Sequence, residues 1–391
     1  MDAIYLDNNA TTRVDPRVVE KMLPYLTELY ANPSSVHTPG QRVRVAVEEA
    51  RRDCAALVGA RPAEIAFTGS GTESDNLAVF GAARDRAHLG RHVVTSPMEH
   101  AAVRLAVDAL EAEGCPVTRL PVDSAGRLDP GDLAAALQPD TILVTVQHAN
   151  NEIGTVQDIA ALAGVVRRAR ESGGPGGQAV FHTDAVQSAG KIPVDANALG
   201  VDLLTFSAHK IHGPKGVGAL WIRPGVTLAP LLHGGHQEGG RRAGTENVPG
   251  IVGFGAACRL AAEGLAESAG RMEGMRDAFE GEIARRIPDA VFHGRGARRT
   301  PNVSNVSFPG TEKEAVVISL DLRGLAASAG SACASGALEP SHVLRAIGLP
   351  PPLLHSAVRF SFGRDNRPEE VPVAAALVAE VVAQIRASMN L

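Results

Sequence analysis

Short apolar runs alternate with amphipathic segments from about residue 63 to residue 222, and this alternation limits the possible folds more than any other feature of the chain. Strands that alternate with helices of this length form a largely parallel sheet with helices on both faces. The pattern predicts strands at 64–68, 91–96, 141–147, 179–183, 201–207 and 216–222, and helices from about Glu73, from about Glu99 and over 158–171.

Polar residues follow the predicted strands at the point where each strand ends. The stretches are GSGTE, PMEH, HANNE, DAVQ and SAHK. Ligands of open α/β sheets bind at the carboxyl ends of the strands. The sequence therefore predicts one ligand site built from these stretches.

The chain beyond about residue 245 has a different pattern. A long helical segment at roughly 250–286 leads into the strand NVSNVSF, the helix EKEAVVISLDL, the strand VRFSF and a last helix from about Pro368. This mixture predicts a smaller α+β domain. Because 391 residues exceed the size of one small core, we expect two domains. The large domain is expected over 15–255, and the small domain over 1–14 and 256–391.

Composition narrows the class of protein. The net charge of −5 gives no reason to expect a nucleic-acid partner, which favours concentrated basic patches. Because no stretch approaches roughly 18 uninterrupted apolar residues, no membrane span is predicted. The amino-terminal MDAIYLDNNATT is acidic and lacks an apolar region of the secretory type, which favours a cytoplasmic location.

The four cysteines lack the CxxC spacing of zinc ribbons and dithiol motifs, and no metal site is expected. Cys54 and Cys258 continue helical apolar stripes and are predicted to lie in the core. Cys115 lies in a turn before a strand. Cys333 differs from these three because it stands in SAGSACASG, a stretch of small residues at 328–336 that offers it no packing partner.

The stretch TGSGTESDN at 68–76 follows a strand and opens a helix. Backbone N–H groups of a glycine-rich turn at a helix N-terminus bind anions, phosphate in particular. The stretch matches neither the Walker motif nor the dinucleotide fingerprint. From the residues alone, a phosphate site and a tight turn capped by Thr72 are about equally well supported.

Asp184 and Lys210 each stand at the end of a predicted strand. Asp184 is suited to pairing with a protonated ring nitrogen, or to capping the turn that follows. Of the five lysines, at 21, 191, 210, 215 and 313, only Lys210 stands at a strand end among other polar groups, where a partly desolvated amine suits Schiff-base chemistry. A phosphate site, an acid for a pyridinium nitrogen and a lysine for an imine are the three requirements of pyridoxal 5′-phosphate binding.

Eight stretches taken together resemble the motif series of cysteine desulfurases of the NifS/IscS type. They are YLDNNATT, GSGTESDN, HANNEIG, HTDAVQSAGK, SAHKIHGPKG, GGRRAGTENV, SAGSACASG and HSAVRFSFG, and they span nearly the whole chain in order. The resemblance implies a fold-type-I pyridoxal-phosphate-dependent transferase of the class-V aminotransferase family. Its α/β fold would have a large domain, with a mostly parallel sheet flanked by helices, and a smaller α+β C-terminal domain. The implied reaction converts L-cysteine to L-alanine and leaves a persulfide on the enzyme.

The resemblance also implies three catalytic residues. Lys210 would carry the cofactor and move the α-proton of the substrate. His100 would stack on the cofactor ring and act in acid–base steps. Cys333 would attack the substrate sulfur as a thiolate.

Further residues are implied to bind the cofactor and the substrate. Asp184 would pair with the pyridine nitrogen, and Gln187 would form a hydrogen bond with the phenolic oxygen. The remaining cofactor-binding residues implied by the motifs are Gly71, Thr72, Asn151, Ser207, His209 and Thr245. Thr245 is expected to reach the phosphate from the neighbouring subunit of a homodimer. Asn151 and Arg359 would bind the substrate carboxylate, for which the planar fork of arginine is suited.

Two other classes of function stay open from the sequence. A selenocysteine lyase or an aminotransferase would use the same cofactor without strictly needing a protein thiol, although SAGSACASG argues against an aminotransferase. A metal-binding or scaffold protein would use His209, His212, His233 and His236, but it leaves Asp184 and Lys210 unexplained. The expected partner is a sulfur-acceptor protein, either an iron–sulfur scaffold or a sulfur carrier, and the sequence does not distinguish iron–sulfur assembly from tRNA thiolation.

Overall fold

The computed structural model of the chain describes residues 3–330 and 340–389. Its strands are β1 (Ile4–Tyr5), β2 (Ile65–Thr68), β3 (His92–Thr95), β4 (Val117–Arg119), β5 (Thr141–Thr145), β6 (Val180–Asp184), β7 (Leu203–Ser207), β8 (Gly218–Ile222), β9 (Val291–His293), β10 (Val303–Ser307), β11 (Leu325–Ala326) and β12 (Ala357–Ser361). Its α-helices are α1 (Pro16–Met22), α2 (Pro24–Thr27), α3 (Thr38–Leu57), α4 (Gly71–Asp85), α5 (Ala101–Ala112), α6 (Pro130–Ala136), α7 (Ile159–Ser172), α8 (Ala196–Leu199), α9 (Val248–Glu263), α10 (Leu265–Arg286), α11 (Lys313–Asp321), α12 (His342–Ala346), α13 (Pro351–Leu354) and α14 (Glu370–Met389).

The central sheet is mostly parallel, as the sequence predicts. Within the described residues it has seven strands, in the order β2–β8–β7–β6–β5–β3–β4. The neighbours from β4 to β7 pair in parallel, whereas β8 lies antiparallel between β2 and β7. Strands β5, β6 and β7 are buried along their whole length, as expected for the central strands of a sheet that is covered on both faces.

The C-terminal part of the chain builds a second sheet with its own core. Strands β12, β10 and β9 pair antiparallel, and the core beside them holds Phe279, Phe360 and Val378. The amino-terminal strand β1 pairs in parallel with β11, and Leu6 lies in the same core. The bounds of the two domains stay a prediction.

The three described cysteines lie where the sequence places them. Cys54 on α3 and Cys258 on α9 are buried in the large core, and their sulfur atoms are 3.6 Å apart without a bond. Cys115 is also buried, in the turn before β4. Cys333 lies outside the described residues.

Helix α14 is long and apolar enough to span a membrane by length and composition, with a mean hydropathy of 1.5. It packs against α10 and α11, and Val371, Val378 and Val382 lie in the core of the C-terminal part. Core helices satisfy the same criterion. Within the described residues the other candidate span is α9 with α10, which meet at 74°.

Candidate active site

A cavity of about 210 Å³ lies at the carboxyl ends of the parallel strands. The implied site residues that line it are Gly71, Thr72, His100, Asn151, Asp184, Gln187, Ser207, His209, Lys210 and Arg359. Residues that the sequence did not single out also line it, namely Asn9, Ala10, Ser70, Asp75, Gln147, Ala149 and Val186. Thr245 is exposed and lies outside this cavity, and Cys333 is outside the described residues.

The glycine-rich turn forms one end of the cavity, at the start of α4. Ser70, not Thr72, caps this helix, because the Ser70 side chain accepts from the Glu73 N–H at 3.1 Å. A Cβ on Gly71 would stand 3.1 Å from Val186 Cγ2 and 3.3 Å from Ser207 Cβ. A side chain here would crowd both neighbours, so glycine suits the position where α4 begins against the ends of β6 and β7, with the first N–H groups of the helix beside the cavity.

Asp184 ends β6 and both caps a turn and lines the cavity. Its Oδ1 accepts from the Val186 N–H at 2.8 Å. Burial raises the pKa of Asp184 to about 6, although the Val186 hydrogen bond and the charge of Lys210 oppose the shift. Burial, reinforced by Asp184, also raises the pKa of Asp75 well above its ordinary value, and Asp75 Oδ1 has no hydrogen-bond partner among the described residues.

Lys210 stands in the short 3₁₀ turn Ala208–Lys210 that follows β7. Its Nζ donates to the backbone oxygens of Asn9 and Ala10, each at 2.7 Å. The amine is thus held at the cavity wall by two main-chain carbonyls of the amino-terminal segment.

Two histidines in the cavity are neutral near pH 7. Burial and the nearby charge of Lys210 lower the pKa of His100 to about 4. His100 Nδ1 accepts from the Ala102 N–H at 3.2 Å, and the ring proton therefore lies on Nε2. The same two causes lower the pKa of His209 to about 3, and its Nδ1 lies 3.1 Å from Thr11 Oγ1.

Arg359 on β12 brings a buried cation to the cavity. Its exposed fraction is 1%. One guanidinium nitrogen contacts Asp7 Oδ1 at 2.7 Å, and another donates to the Asn151 backbone oxygen at 3.0 Å. Its Nε has no partner among the described residues. An incoming carboxylate therefore meets an arginine whose orientation is already fixed.

Asn9 lies beside the cavity and contacts both the large part and the C-terminal part of the molecule. The spacing of residues in the sequence did not indicate this role. Its Oδ1 accepts from Asn302 Nδ2 at 2.9 Å and from Lys191 Nζ at 3.0 Å, and its Nδ2 donates to the Asn151 backbone oxygen at 3.0 Å. Its backbone N–H donates to Ser361 Oγ at 2.9 Å.

The histidines at 209, 212, 233 and 236 do not form a metal-binding group. In the part of the chain that the structure describes, the one group of three His, Cys, Asp or Glu residues with ligand atoms within 4.8 Å of one another is Asp75, His100 and Asp184. These three residues belong to the cavity already described.

Comparison with known proteins identifies the class to which this site belongs. The aminotransferase class-V family model matches residues 4–373, and the chain belongs to that family. It is 48% identical over 387 residues to a cysteine desulfurase of Nostoc sp., covering 99% of this chain and 94% of that protein. Within the family, the chain is therefore a cysteine desulfurase.

Solved structures agree with this assignment. A NifS-like protein superposes with a TM-score of 0.90 at 37% identity, covering 98% of this chain and 100% of that one. The structure of SspA in complex with cysteine gives a TM-score of 0.79 at 35% identity, covering 92% of this chain and 99% of that one.

Proposed function

We propose that this desulfurase binds pyridoxal 5′-phosphate in the 210 Å³ cavity and transfers the sulfur of L-cysteine to Cys333. The observation that carries the proposal is the meeting, in one cavity, of a glycine-rich helix start, a buried carboxyl and a lysine. These groups match the three polar parts of the cofactor, which are its phosphate, its ring nitrogen and its aldehyde.

The residues present fit this cofactor on physical grounds. The α4 start, where a side chain in place of Gly71 would crowd Val186 and Ser207, would bind a phosphate with its backbone N–H groups. Ser207 and His209 are further polar residues that line the same cavity. The high pKa of Asp184 reflects a buried carboxyl without a cationic partner in hydrogen-bond contact, and a protonated ring nitrogen supplies such a partner.

The bound cofactor would supply an electron sink for the pair left when the Cα–H bond of the substrate breaks. Lys210 Nζ would take and return that proton, because it is the amine that lines the cavity. His100 would donate from Nε2, the atom that carries its proton in the neutral ring. Arg359 and Asn151 would hold the substrate carboxylate.

The proposed sulfur transfer needs one thiol of the protein, and its bonds and electrons balance. The Cys333 thiolate attacks the sulfur of the substrate, an S–S bond forms, and the Cβ–S bond breaks with its electron pair left on carbon. Protonation of that carbon gives L-alanine, and Cys333 carries a persulfide. Neither an oxidant nor a reductant is consumed in this step.

A matched pair of cysteine variants tests the proposal. Holoenzyme carrying Cys333→Ser should keep its visible absorbance and bind L-cysteine, but should form neither alanine nor sulfide. The control Cys115→Ser alters another cysteine, and it should retain activity. Full sulfide release from Cys333→Ser in the presence of a thiol reductant would show that another group accepts the sulfur.

We further propose that the enzyme is a cytoplasmic homodimer that hands its persulfide sulfur to an acceptor protein, an iron–sulfur scaffold or a sulfur carrier. Large apolar side chains stand exposed on the amino-terminal helices and the segment after them: Leu23 (54%), Leu26 (60%), Tyr30 (81%) and Val36 (92%). A patch of this kind is typical of an interface. Sedimentation should show a dimer, and Tyr30→Glu with Val36→Glu should shift it to monomer; an unchanged dimer would place the interface elsewhere.

A further inference from the structure

Lys191 lies behind the cavity, and the mechanism proposed above gives it no role. It is 5% exposed, and its Nζ donates to Gln187 Oε1 at 2.6 Å and to Asn9 Oδ1 at 3.0 Å. Gln187 and Asn9 line the cofactor cavity, whereas Lys191 does not. Burying an amine is costly even when it is hydrogen-bonded, and an apolar residue would pack at lower cost.

The contacts of Gln187 fix the orientation of its side-chain amide. An ammonium group can only donate a hydrogen bond, and a backbone carbonyl can only accept one. Oε1 of Gln187 therefore faces Lys191, and Nε2 donates to the Asn9 backbone oxygen at 3.1 Å. Because Oε1 accepts from Lys191, only Nε2 of Gln187 is available to donate a hydrogen bond to an acceptor in the cavity.

Lys191 orients a second amide in the same way. Asn9 Oδ1 accepts from Lys191 and from Asn302 Nδ2, which leaves Asn9 Nδ2 to donate to the Asn151 backbone oxygen. The backbone oxygen of Asn9 accepts from Lys210 Nζ. Lys191 thus supports both the Gln187 amide and the residue against which Lys210 rests.

This support does not depend on the charge of Lys191. Burial lowers its pKa well below the ordinary value, and the positive charges of Lys210 and Arg359 lower it further. A neutral amine still has two hydrogens to donate, one for each of the two amide oxygens. The contacts therefore persist in either protonation state.

On the basis of the pyridoxal-phosphate site proposed above, we infer that Lys191 is a positioning residue: it holds the Gln187 amide with its donor end toward the phenolic oxygen of the cofactor. A donor at that oxygen stabilises negative charge on it and lowers the pH at which the chromophore loses its proton. Without Lys191, Oε1 loses its partner, and only the contact of Nε2 with the Asn9 backbone oxygen still restrains the amide.

The test compares holoenzymes by a pH titration of visible absorbance. Lys191→Met keeps the apolar stem and removes the donor, and the midpoint should rise by about one pH unit, the size expected for losing a hydrogen bond to a charged group. Lys191→Arg retains a donor and should return the midpoint toward the wild-type value. Lys215→Met, at an exposed lysine, should leave it unchanged.

A double-mutant cycle distinguishes positioning from a general electrostatic or structural effect. If Lys191 acts through Gln187, Lys191→Met should shift the midpoint little further in a Gln187→Ala background. Additive shifts would contradict the inference. Gln187→Glu covers the case in which Lys191→Met does not fold, because it replaces the donor end with an acceptor oxygen and adds a negative charge: its midpoint should rise, and an unchanged midpoint would overturn the assignment.

The wild-type enzyme separates this inference from the proposed function. Purified wild type that takes up pyridoxal phosphate without developing a lysine-dependent chromophore would refute the cofactor site itself. A normal wild-type chromophore whose midpoint does not move in Lys191→Met would refute only the role of Lys191.

Discussion

The cavity has two walls that are built differently. The sheet-edge wall, formed by Gly71, Asp75, Asp184 and Ser207, consists of the ends of β6 and β7 and the beginning of α4. It holds Asp75 Oδ1, which has no hydrogen bond within the described part of the chain, and the Asp184 carboxyl, whose pKa is raised to about 6. The amino-terminal wall, formed by 7–10 and the residues that they contact, is instead closely hydrogen-bonded.

The difference between the walls suggests that one mainly binds the cofactor and that the other mainly stabilises the folded chain. Burying an acid without a cation in hydrogen-bond contact costs folding free energy, which a cationic ligand group can return by pairing with it. Hydrogen-bonded amides at the other wall stabilise the folded chain with or without a ligand. We therefore expect substitutions in the sheet-edge wall to alter cofactor binding most, and substitutions in the amino-terminal wall to alter stability most.

The largest effect should come from Lys210, which follows Ser207 of the sheet-edge wall and donates to two carbonyl oxygens of the amino-terminal wall. Lys210→Ala removes the amine that would carry the cofactor and move the proton, and alanine formation should fall by about 10³-fold or more. The visible absorbance of the imine should be lost, while the midpoint of chemical denaturation changes little. Lys215→Ala is the control and should retain both signals, and residual activity within tenfold of wild type would reject Lys210 as the essential amine.

Asp184→Asn should weaken cofactor binding and strengthen the apoprotein. The folded pKa of about 6 exceeds the ordinary value of 3.8, so the stability that depends on the neutral acid is complete below pH 3.8 and is lost as pH rises through 6. At pH 8 the apo variant should therefore be more stable than wild type by up to about 3 kcal/mol, with little difference near pH 4. Cofactor affinity should fall about tenfold or more.

Urea denaturation at the two pH values, with and without cofactor, measures both effects of Asp184→Asn. An apoprotein stabilised equally at pH 4 and pH 8 would mean that ionisation of Asp184 is not the cause. That outcome would remove one of the main distinctions between the two walls.

Asn9→Ala should act mainly on stability. It deletes side-chain hydrogen bonds to Lys191, Asn302 and Asn151, and at about 1 kcal/mol each the expected loss is about 2–4 kcal/mol. The backbone oxygen that holds Lys210 remains, and the chromophore should still form. Asn197→Ala, at an exposed asparagine with a 2.7 Å bond to the Gly59 backbone oxygen, should cost less. Equal losses would show that the amino-terminal wall is no more tightly held than the surface.

The smallest effect distinguishes two neighbours in the glycine-rich turn. Ser70→Ala removes the cap of α4 and should cost about 1 kcal/mol in the apoprotein. Thr72→Ala removes no cap and should change apoprotein stability by less than about 0.5 kcal/mol. Thermal denaturation of the two apoproteins decides between them, and a larger loss for Thr72→Ala would restore Thr72 as the structural residue of the turn.

The sheet-edge wall could be predicted from the sequence because strand ends of a parallel sheet share one edge. That rule brought Asp184 and Lys210 together although no local pattern links them. The interpretation of Thr72 as the cap of this turn was wrong. Ser and Thr both suit a helix cap, and the sequence did not show that the helix begins at Gly71, which makes Ser70 the cap. The antiparallel orientation of β8 was not predicted, although the connection between β7 and β8 is too short for a parallel crossover.

The amino-terminal wall could not be predicted in the same way. Asn9 meets Asn302 across 293 positions of sequence, and the connection depends on the pairing of two-residue strands that carry no periodicity. Lys191 does not stand at the end of a predicted strand, and the sequence gave no sign that it is buried beneath the site. Contacts between distant, irregular segments follow from tertiary packing, which a single sequence does not display.

The contact of Lys210 with the oxygens of Asn9 and Ala10 has a genetic consequence. Both acceptors belong to the main chain, and an ordinary codon change at either position leaves a carbonyl in place. Most point mutations at these two positions therefore leave both hydrogen-bond acceptors of the proposed catalytic amine in place. Chemical synthesis offers a more direct route, because both residues lie near the amino terminus: replacing the amide that follows Asn9 or Ala10 with an ester would weaken one acceptor without altering any side chain.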